Sequence, residues 1–217
     1  MMDANQRRFM MKQIFLTVLV AVVSYLLGCF STGITISRLQ GVDIRKHGSK
    51  NTGASNVLRV LGLKSGILTF IGDIIKASIA VWLGYFVLGN AFGIERFGMM
   101  VGGLFAVIGH NWPVYYGFKG GKGVACSAAV IFFVDVLCAL PAIAICLAVI
   151  AITKYISLGS MTLMGLYMII MCIVHWGAWP LCLFTVILFV LCVWRHRANV
   201  VRLLNGTENK IGQKSKD

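Results

Sequence analysis

The residues best suited to chemistry lie in segment 109–123, which joins two apolar runs yet contains five glycines, two lysines, a histidine and an asparagine. Glycines can adopt positive φ and let the backbone approach a ligand closely. Lys122 adds ammonium charge where the next apolar run begins, and this combination favours an anion. The segment is not a Walker loop, because Tyr116 stands where that motif requires glycine and no serine or threonine follows Lys122. The sequence therefore predicts an anion-binding loop.

A second polar segment, residues 38–64, carries hydrogen-bond donors and dual-role groups with almost no carboxylates. Such groups suit a phosphate better than a metal ion, which prefers carboxylate oxygens. A solvated loop with helix caps explains the same composition, since serine and asparagine before an apolar run cap helices well. The candidates in this segment are Arg45, Ser49, Asn51, Thr52, Ser55, Asn56 and Arg59.

Two further polar segments, 154–160 and 195–209, follow later in the chain. Each alone has an ordinary explanation, because serines cap helices and basic side chains extend from membrane helices toward the aqueous surface. Four segments of this character on one face of the protein favour a shared phosphate site instead. The candidates here are Ser157, Ser160, Arg195, His196, Asn199 and Arg202.

The composition is typical of a helical membrane protein. Of 217 residues, 59% are hydrophobic and 12% are charged, and the mean hydropathy is +0.86, whereas soluble domains are about half apolar and a quarter charged. Between Val124 and Trp194 the only formal charges are Asp135 and Lys154. We therefore expect an all-α polytopic membrane protein that forms a single domain over residues 1–217.

Apolar runs of sufficient length predict the membrane-crossing helices. These runs are 14–36, 66–88, 97–108, 123–152, 161–174 and 181–194. The run 123–152 is too long for one crossing, and a reversal between Asp135 and Pro141 places all four polar segments on one face. Because lysine and arginine concentrate on the cytoplasmic face, we predict seven crossings, several of them short, with the N-terminus outside and the C-terminus and polar segments in the cytoplasm. Five or six crossings are the alternatives.

The net charge of +13 falls in the segments beside the apolar runs. This distribution fits the positive-inside rule, anionic lipid headgroups and anionic substrates, so we expect membrane lipid and no nucleic acid as a partner. The seven cysteines lie in or beside apolar runs without zinc-ligand spacing, and we interpret them as small packing residues. With seven acids in all, the chain has few carboxylates for a magnesium-dependent lipid phosphotransferase. We expect no metal site and no cofactor.

Four motifs occur in order along the chain. The first is Asp43-Ile44-Arg45 followed by Gly48-Ser49-x-Asn51-x-Gly53-x-Ser55-Asn56-x-x-Arg59. The second is Gly109-His110-x-x-Pro113-x-x-x-Gly117-Phe118-Lys119-Gly120-Gly121-Lys122-Gly123-Val124. The third is Ser157-Leu158-x-Ser160, and the fourth is Arg195-His196-x-x-Asn199 with Gly206-Thr207-Glu208-Asn209. Together they closely resemble the motifs of the PlsY glycerol-3-phosphate acyltransferases of bacteria, over nearly the whole chain.

The resemblance implies a seven-span enzyme of the bacterial inner membrane with its active site at the cytoplasmic face. Such an enzyme transfers an acyl group from acyl phosphate, not from coenzyme A, to the sn-1 hydroxyl of glycerol 3-phosphate. The product is lysophosphatidate, an intermediate of phospholipid synthesis. Two departures from the family pattern stand in the first motif: Lys50 replaces the usual glycine, and Ser55 replaces the common threonine.

Residue roles also follow from the resemblance, motif by motif. The candidates for catalysis are Lys122, Arg59 and His196. Binding of phosphate or ordering of the site is implied for Ser49, Asn51, Ser55, Asn56, Gly120, Gly121, Ser160 and Asn199. Weaker candidates are Arg45, Thr52, His110, Ser157 and Glu208.

An acyl phosphate is an activated mixed anhydride, so its transfer requires no acyl-enzyme. The site must hold two anions close together and stabilise the developing oxyanion, which Lys122, Arg59 and the hydroxyl groups can do. The proton of the attacking hydroxyl passes either to His196 or to an oxygen of a substrate phosphate. We predict the phosphate as acceptor, with His196 as binder or orienter, and we expect the acyl tail to leave sideways between helices.

A membrane transporter of phosphate or of a phospho-compound is the main alternative, because it also needs basic loops and glycines. Such a transporter is expected to place polar groups or broken helices near the middle of the membrane, whereas the polar segments here lie at one interface. A helical interaction protein, suggested by the repeated small residues, leaves the lysine loop unexplained.

Overall fold

The computed structural model describes residues 3–213, and this part of the chain folds into ten α-helices joined by short connections. The helices are α1 (Ala4–Cys29), α2 (Thr32–Leu39), α3 (Ala54–Leu61), α4 (Leu63–Phe92), α5 (Glu95–Asn111), α6 (Val124–Val134), α7 (Val136–Thr153), α8 (Ile156–Val174), α9 (Trp179–Arg195) and α10 (Arg197–Leu204). Two 3₁₀ turns, Ile44–Lys46 and Val114–Tyr116, lie in the connections before α3 and α6. The all-α fold predicted from the composition is confirmed.

Several helices are long and apolar enough to cross a membrane. Four segments meet this description: Ala4–Leu39, Leu63–Phe92, Val136–Thr153 and Ile156–Val174. A fifth candidate is the pair formed by α9 and α10, which meet at a bend of 61°. The outer surface of the bundle exposes large apolar side chains such as Phe15, Leu137 and Ile152, an arrangement that suits lipid rather than water. The chain is therefore a multi-pass helical membrane protein.

The apolar run 14–36 is divided between α1 and α2, which together form one candidate membrane span, Ala4–Leu39. Phe30 and Ser31 are extended and separate α1 from α2. The Ser31 hydroxyl accepts a hydrogen bond from the backbone N–H of Ile34 and caps α2. The Phe30 carbonyl accepts a hydrogen bond from Lys76 Nζ at 2.6 Å. Groups outside the helix thus replace hydrogen bonds that are lost at the break.

Glycines allow α5 to pack directly on the backbones of α1 and α4. A Cβ at Gly84 of α4 would lie 1.9 Å from the carbonyl oxygen of Gly98 in α5, and a Cβ at Gly98 would lie 2.1 Å from that of Gly84. A Cβ at Gly109, near the end of α5, would lie 2.1 Å from the Tyr25 carbonyl oxygen of α1. Close approach through small residues is a common mode of helix association in membranes. These contacts fix the point at which the glycine-lysine loop leaves α5.

The apolar core lies among α4 to α9. Val130, Tyr167 and Phe184 are buried in it, and so are cysteines such as Cys126 and Cys192, whose thiols are free. The cysteines fill space between helices, as the sequence predicted. The core therefore holds α6, α8 and α9 in fixed relation to one another.

The helix connections lie at two ends of the bundle. At one end, Asp135 separates α6 from α7, and its carboxylate lies 2.8 Å from His175 Nε2 and 4.0 Å from the Arg96 guanidinium. α7 is about 27 Å long at 1.5 Å per residue, so Lys154, which follows it, lies at the opposite end. There the Lys154 carbonyl accepts a hydrogen bond from the Ile211 N–H at 2.9 Å. The chain therefore reverses at Asp135, within the range predicted for the turn.

Candidate active site

All four polar segments meet at the end of the bundle that contains Lys154, around a cavity of about 370 Å³. This volume lies in the range of small-molecule sites. α3, the starts of α6 and α8, and α10 with the tail after it surround the cavity. The predicted residues that line it are Ser49, Asn51, Ser55, Asn56, Arg59, His110, Lys122, Ser157, Ser160, His196, Asn199 and Glu208.

The glycine-lysine loop brings a helix N-terminus and a lysine to the cavity. Gly123 has a φ of +75°, which favours glycine, and precedes α6, whose first turn lines the cavity. The N–H groups of a first helical turn have no partner within the helix and attract anions. Lys122 Nζ donates a hydrogen bond to Asn199 Oδ1. Burial lowers the pKa of Lys122 to about 8, although the charge of Glu208 opposes this shift, so the ammonium form predominates at neutral pH.

Glu208 connects the C-terminal tail to the cavity. Its Oε1 accepts hydrogen bonds from Asn199 Nδ2 at 2.6 Å and Ser157 Oγ at 2.9 Å, and its Oε2 accepts one from Arg202 Nε at 2.7 Å. Burial alone would raise the pKa of Glu208, but these hydrogen bonds outweigh it and hold the pKa below its usual value. The ionised carboxylate thus orients Asn199, and Asn199 in turn orients Lys122.

His196 presents one ring nitrogen to the cavity. Its Nδ1 lies 2.8 Å from the Cys192 carbonyl oxygen, and a carbonyl can only accept, so Nδ1 carries the proton and Nε2 keeps a lone pair. Burial lowers the pKa of His196 to about 4, and the charge of Lys122 acts in the same direction. His196 is therefore neutral at pH 7, an acceptor of hydrogen bonds and a weak base.

Asn56 organises the loop before α3. Its Oδ1 accepts a hydrogen bond from the Ser49 backbone N–H at 2.8 Å, and its Nδ2 donates to the carbonyls of His47 at 3.1 Å and Asn51 at 2.9 Å. The side-chain amide is therefore occupied by the loop itself. Although Asn56 lines the cavity, it shapes the loop that carries the other polar groups.

Arg59 supplies the second cation of the cavity. Among residues 3–213, no carboxylate or carbonyl accepts a hydrogen bond from its guanidinium, and the hydroxyls of Ser49 and Ser55 are likewise without a protein partner. Burial lowers the pKa of Arg59, yet arginine remains charged at physiological pH. Arg59 and the two hydroxyls thus have their hydrogen-bonding groups available to a ligand.

Arg195 holds the glycine-lysine loop, a role that the sequence did not reveal. Its guanidinium donates to the carbonyls of Gly120 at 3.0 Å and Gly121 at 2.9 and 2.6 Å, and it lies over the Trp112 ring at 5.3 Å. The two glycines therefore lie behind the cavity lining. A Cβ at Gly121 would lie 1.9 Å from His110 Nε2, which explains the glycine at this position.

Arg45 and Thr52 lie outside the cavity lining. Arg45 forms a bidentate ion pair with Asp43 at 2.8 and 2.9 Å. Thr52 is buried, and its carbonyl oxygen lies 2.0 Å from the position of a Cβ at Gly33. Both residues support the loop before α3 and do not reach the cavity.

One wall of the cavity is apolar, and the sequence did not identify its residues. Side chains of α3 and α4 form one part of this wall, and residues of α7, α8 and the tail form the other. Ile67 and Phe70 of α4 line the cavity and are nevertheless 47% and 44% exposed, so the cavity is open along this wall. Its members are Leu58, Leu63, Ile67, Phe70, Ile150, Ile156 and Ile211.

Comparison with known proteins agrees with the four motifs. The family model described as glycerol-3-phosphate acyltransferase matches residues 18–206. The chain is 45% identical over 209 residues to a glycerol-3-phosphate acyltransferase of Clostridioides difficile, covering 93% of this chain and 98% of that protein. It is 42% identical over 199 residues to one from a Thermoanaerobacter species, covering 91% of this chain and 97% of that protein.

Two crystal structures of PlsY, an integral membrane glycerol 3-phosphate acyltransferase, share the fold. The structure of the glycerol 3-phosphate form has a TM-score of 0.82 and covers 90% of this chain and 96% of its own. The structure of the lysophosphatidic acid form has a TM-score of 0.79 and covers 90% of this chain and 95% of its own. Both are 35% identical to this chain. These matches confirm the resemblance to the PlsY family.

The unusual Lys50 stands in the left-handed region of the backbone, with a φ of +58°. A residue with a Cβ pays roughly 1–2 kcal/mol in this region, whereas glycine does not. We expect Lys50→Gly to increase the free energy of unfolding by about 1 kcal/mol, measured by chemical or thermal denaturation in detergent. Lys50→Ala is the matched control, because it removes the same charge but keeps a Cβ. Equal stability of the two variants would contradict the assigned strain.

The hydrogen bonds from Arg195 to the carbonyls of Gly120 and Gly121 predict that replacing Arg195 weakens phosphate binding. Arg195→Met should weaken the binding of inorganic phosphate about tenfold, because the loop loses the hydrogen bonds that hold its anion-binding conformation. The measurement is calorimetric titration of the purified protein. Arg197→Met is the control, since Arg197 also lies over a tryptophan ring, that of Trp194, and donates to its carbonyl away from the loop. Equal losses in both variants would show that the loop contact is not the cause.

Proposed function

Because the chain belongs to the glycerol-3-phosphate acyltransferase family, we propose that it transfers an acyl group from acyl phosphate to the sn-1 hydroxyl of glycerol 3-phosphate. The products are lysophosphatidate and inorganic phosphate, so the enzyme acts in phospholipid synthesis. One observation carries the assignment: Lys122, Arg59 and the N-terminus of α6 converge on a cavity that also has an apolar wall. Such a cavity matches an anionic headgroup joined to an acyl chain.

The proposed topology has seven crossings, formed by α1 and α4 to α9, with the N-terminus outside a bacterial inner membrane. The support comes from the two ends of the bundle: the α6–α7 break lies beside the start of α5 and the end of α8, and the cavity lies at the other end. Most of the loop lysines and arginines lie at the cavity end. By the positive-inside rule the cavity faces the cytoplasm.

The two phosphates share the positive groups of the cavity. We place one phosphate at Lys122 and the first turn of α6, where ammonium charge and free backbone N–H groups coincide. The other lies at Arg59 with the hydroxyls of Ser49 and Ser55. Holding both anions against these cations offsets their mutual repulsion and brings the hydroxyl of one substrate to the carbonyl of the other.

The transfer then proceeds without a covalent enzyme intermediate. The sn-1 hydroxyl attacks the acyl carbonyl carbon, the new carbon–oxygen bond forms, and the bond from that carbon to the phosphate oxygen breaks. His196 Nε2 accepts the hydrogen bond of the hydroxyl and directs its oxygen toward the carbonyl. Since the pKa of His196 is lowered to about 4, the proton ends on a phosphate oxygen and leaves with inorganic phosphate.

The acyl chain follows the apolar wall out of the cavity. Ile67 and Phe70 are exposed on the outside of α4 and also line the cavity, so a chain along them passes from the headgroup site to the lipid. Burying the chain in the bilayer keeps its apolar surface away from water. The reacting carbonyl is thereby held where the polar and apolar parts of the cavity meet.

The deciding experiment supplies purified protein with glycerol 3-phosphate and acyl phosphate and follows the release of inorganic phosphate. Lys122→Ala and Arg59→Ala should each reduce kcat/KM roughly 10-fold to 100-fold, the effect of one charge-assisted hydrogen bond. Lys64→Ala is the matched control, because Lys64 is exposed in the first turn of α4 and does not line the cavity.

Several outcomes would overturn the assignment. No phosphate release by the wild-type protein excludes this acyl transfer, and phosphate uptake by vesicles that contain the protein would then favour a transporter. Undiminished release by both alanine variants excludes the proposed site. An acyl thioester of coenzyme A should be a poor acyl donor. A rate with the thioester comparable to that with acyl phosphate would contradict the proposed donor.

The lowered pKa of Lys122 gives the reaction an alkaline limit. The ammonium form binds phosphate, and it is lost as pH rises through about 8, so kcat/KM for glycerol 3-phosphate should decline above that pH. Lys122→Arg should move the decline to higher pH, because a guanidinium remains protonated. The measurement is kcat/KM between about pH 6 and 10, corrected for spontaneous hydrolysis of acyl phosphate. If kcat/KM of the arginine variant declines at the same pH as that of the wild type, a group other than Lys122 causes the decline.

A further inference from the structure

A buried charged cluster forms the floor of the cavity on its α4 and α5 side. Asp73 and Lys76 of α4 are 2% and 6% exposed, and His110 of α5 is 6% exposed. Asp73 and His110 both line the cavity. Lys76 Nζ lies 2.9 Å from Asp73 Oδ1, so the two charges balance each other. None of these residues has a role in the steps described above.

The contacts of Lys76 determine which nitrogen of His110 carries the proton. Its ammonium group has three N–H donors and three acceptors nearby: the Phe30 carbonyl at 2.6 Å, Asp73 Oδ1 at 2.9 Å and His110 Nδ1 at 2.9 Å. An ammonium group cannot accept a hydrogen bond, so Nδ1 must offer its lone pair. Asp73 Oδ1 lies farther from Nδ1, at 3.5 Å. The proton of a neutral His110 therefore resides on Nε2.

The Nε2–H group faces the glycine-lysine loop. Nε2 lies 1.9 Å from the position that a Cβ of Gly121 would occupy, and the His110 carbonyl accepts the Gly121 N–H at 3.0 Å. Within residues 3–213, Nε2 has no hydrogen-bond partner and yet is not enclosed by protein, because His110 lines the cavity. A donor without a partner beside an anion-binding loop is aimed at the ligand of that loop.

We propose that Lys76 and Asp73 are positioning residues that hold His110 as the Nε2–H tautomer, so that His110 donates a hydrogen bond to the phosphate bound at the glycine-lysine loop. This inference rests on the proposed function for the identity of that phosphate. Lys76 keeps the Nδ1 lone pair engaged, and Asp73 holds Lys76 in place through their 2.9 Å contact. His110 thus contributes a neutral donor whose direction is fixed, at a position where Gly121 leaves room for it.

Other groups that face His110 are consistent with this assignment. Cys126 of α6 lies beside the cluster, and its thiol donates to the Asp73 carbonyl oxygen at 3.4 Å. Thr32 of α2 donates to Asp73 Oδ1 at 3.3 Å. Asp73, His110 and Cys126 also have ligand atoms close enough together for a metal ion. The Lys76 ammonium already supplies a positive charge 2.9 Å from Asp73. The cluster is therefore better explained as a hydrogen-bonded network than as a metal site.

The first test reads the tautomer directly. The protein is labelled with ¹⁵N in its histidine rings, and the ring nitrogens are observed by NMR at neutral pH. The His110 signals are assigned by their loss in His110→Gln. We expect Nε2 to carry the proton in the wild type. In Lys76→Met the proton should move to Nδ1, where Asp73 can accept it. Protonation of Nδ1 alone in the wild type would overturn the proposal.

The second test separates positioning from general damage to the fold. Lys76→Met should raise the KM for glycerol 3-phosphate roughly tenfold or more, the loss of a hydrogen bond to a charged group, with a smaller change in kcat. Its kcat/KM should recover as pH falls, because a doubly protonated His110 again has an Nε2–H group. In a His110→Gln background, Lys76→Met should cause little further loss, since its effect acts through His110. Additive losses, or a pH profile unchanged from the wild type, would overturn the proposal.

Removal of Lys76 alone leaves Asp73 buried without its partner and can prevent folding. Asp73→Asn with Lys76→Met removes the ion pair as a unit and keeps the packing volume, which is often tolerated. In this double variant Lys76 no longer engages the Nδ1 lone pair, so the fraction of the Nε2–H tautomer should fall and the KM should rise. His175→Gln is the control for loss of a histidine–carboxylate contact, because His175 pairs with Asp135 at the other end of the bundle. An equal rise in KM in this control would overturn the proposal.

Failure of the proposed function has a different signature. If the wild type releases no phosphate from acyl phosphate and glycerol 3-phosphate, the acyl transfer is excluded. The NMR measurement needs no substrate and still decides the tautomer in that case. If the wild type is active and its His110 carries the proton on Nδ1, the acyl transfer stands and the positioning role is excluded.

Discussion

A lysine ammonium buried among apolar helices is costly unless oxygen or nitrogen acceptors replace the water that it loses. The polar end of this bundle contains two lysines removed from water to different extents: Lys76 is buried and Lys122 is half-buried. Lys76 has a protein acceptor for each of its three N–H groups, including the carboxylate of Asp73. Lys122 donates to Asn199, and among residues 3–213 it has no other side-chain or carbonyl acceptor. The donors of Lys76 are all used within the protein, whereas Lys122 keeps N–H donors that are available to a ligand of the cavity.

The same distinction applies to the other polar residues of the cavity. The amides of Asn56 and Asn199 are occupied by loop carbonyls and by Lys122 with Glu208. The Arg59 guanidinium, in contrast, faces the cavity without a protein acceptor in the described part of the chain. An amide accepts and donates at fixed angles and so suits the shaping of a loop. A free guanidinium suits the recognition of phosphate.

The sequence predicted the reversal at Asp135 and the gathering of four polar segments because both follow from length and charge distribution, which are properties of the chain itself. It did not predict the break at Phe30, since the group that stabilises it is Lys76, 46 residues away. The sequence did not predict the role of Arg195 either, because its acceptors are the backbone carbonyls of Gly120 and Gly121. Every residue type has a backbone carbonyl, so the sequence does not reveal which one accepts the hydrogen bond. Motif residues whose polar groups are used within the loop and those whose polar groups are free are also chemically alike, so only geometry separates Asn56 from Arg59.

The position of the site at the end of the bundle follows from the two requirements of its substrates. A phosphate needs backbone N–H groups and cations, and non-helical backbone can exist at membrane depth only where protein or an aqueous cavity satisfies its polar groups. Here Arg195 and His110 satisfy the carbonyl oxygens and the Gly121 N–H of the glycine-lysine loop. An acyl chain needs an apolar path to lipid, and the exposed side chain of Phe70 in α4 lies at the open apolar wall of the cavity. A cavity at a bundle end, bounded by a loop on one side and a lipid-facing helix on the other, is the arrangement that meets both requirements.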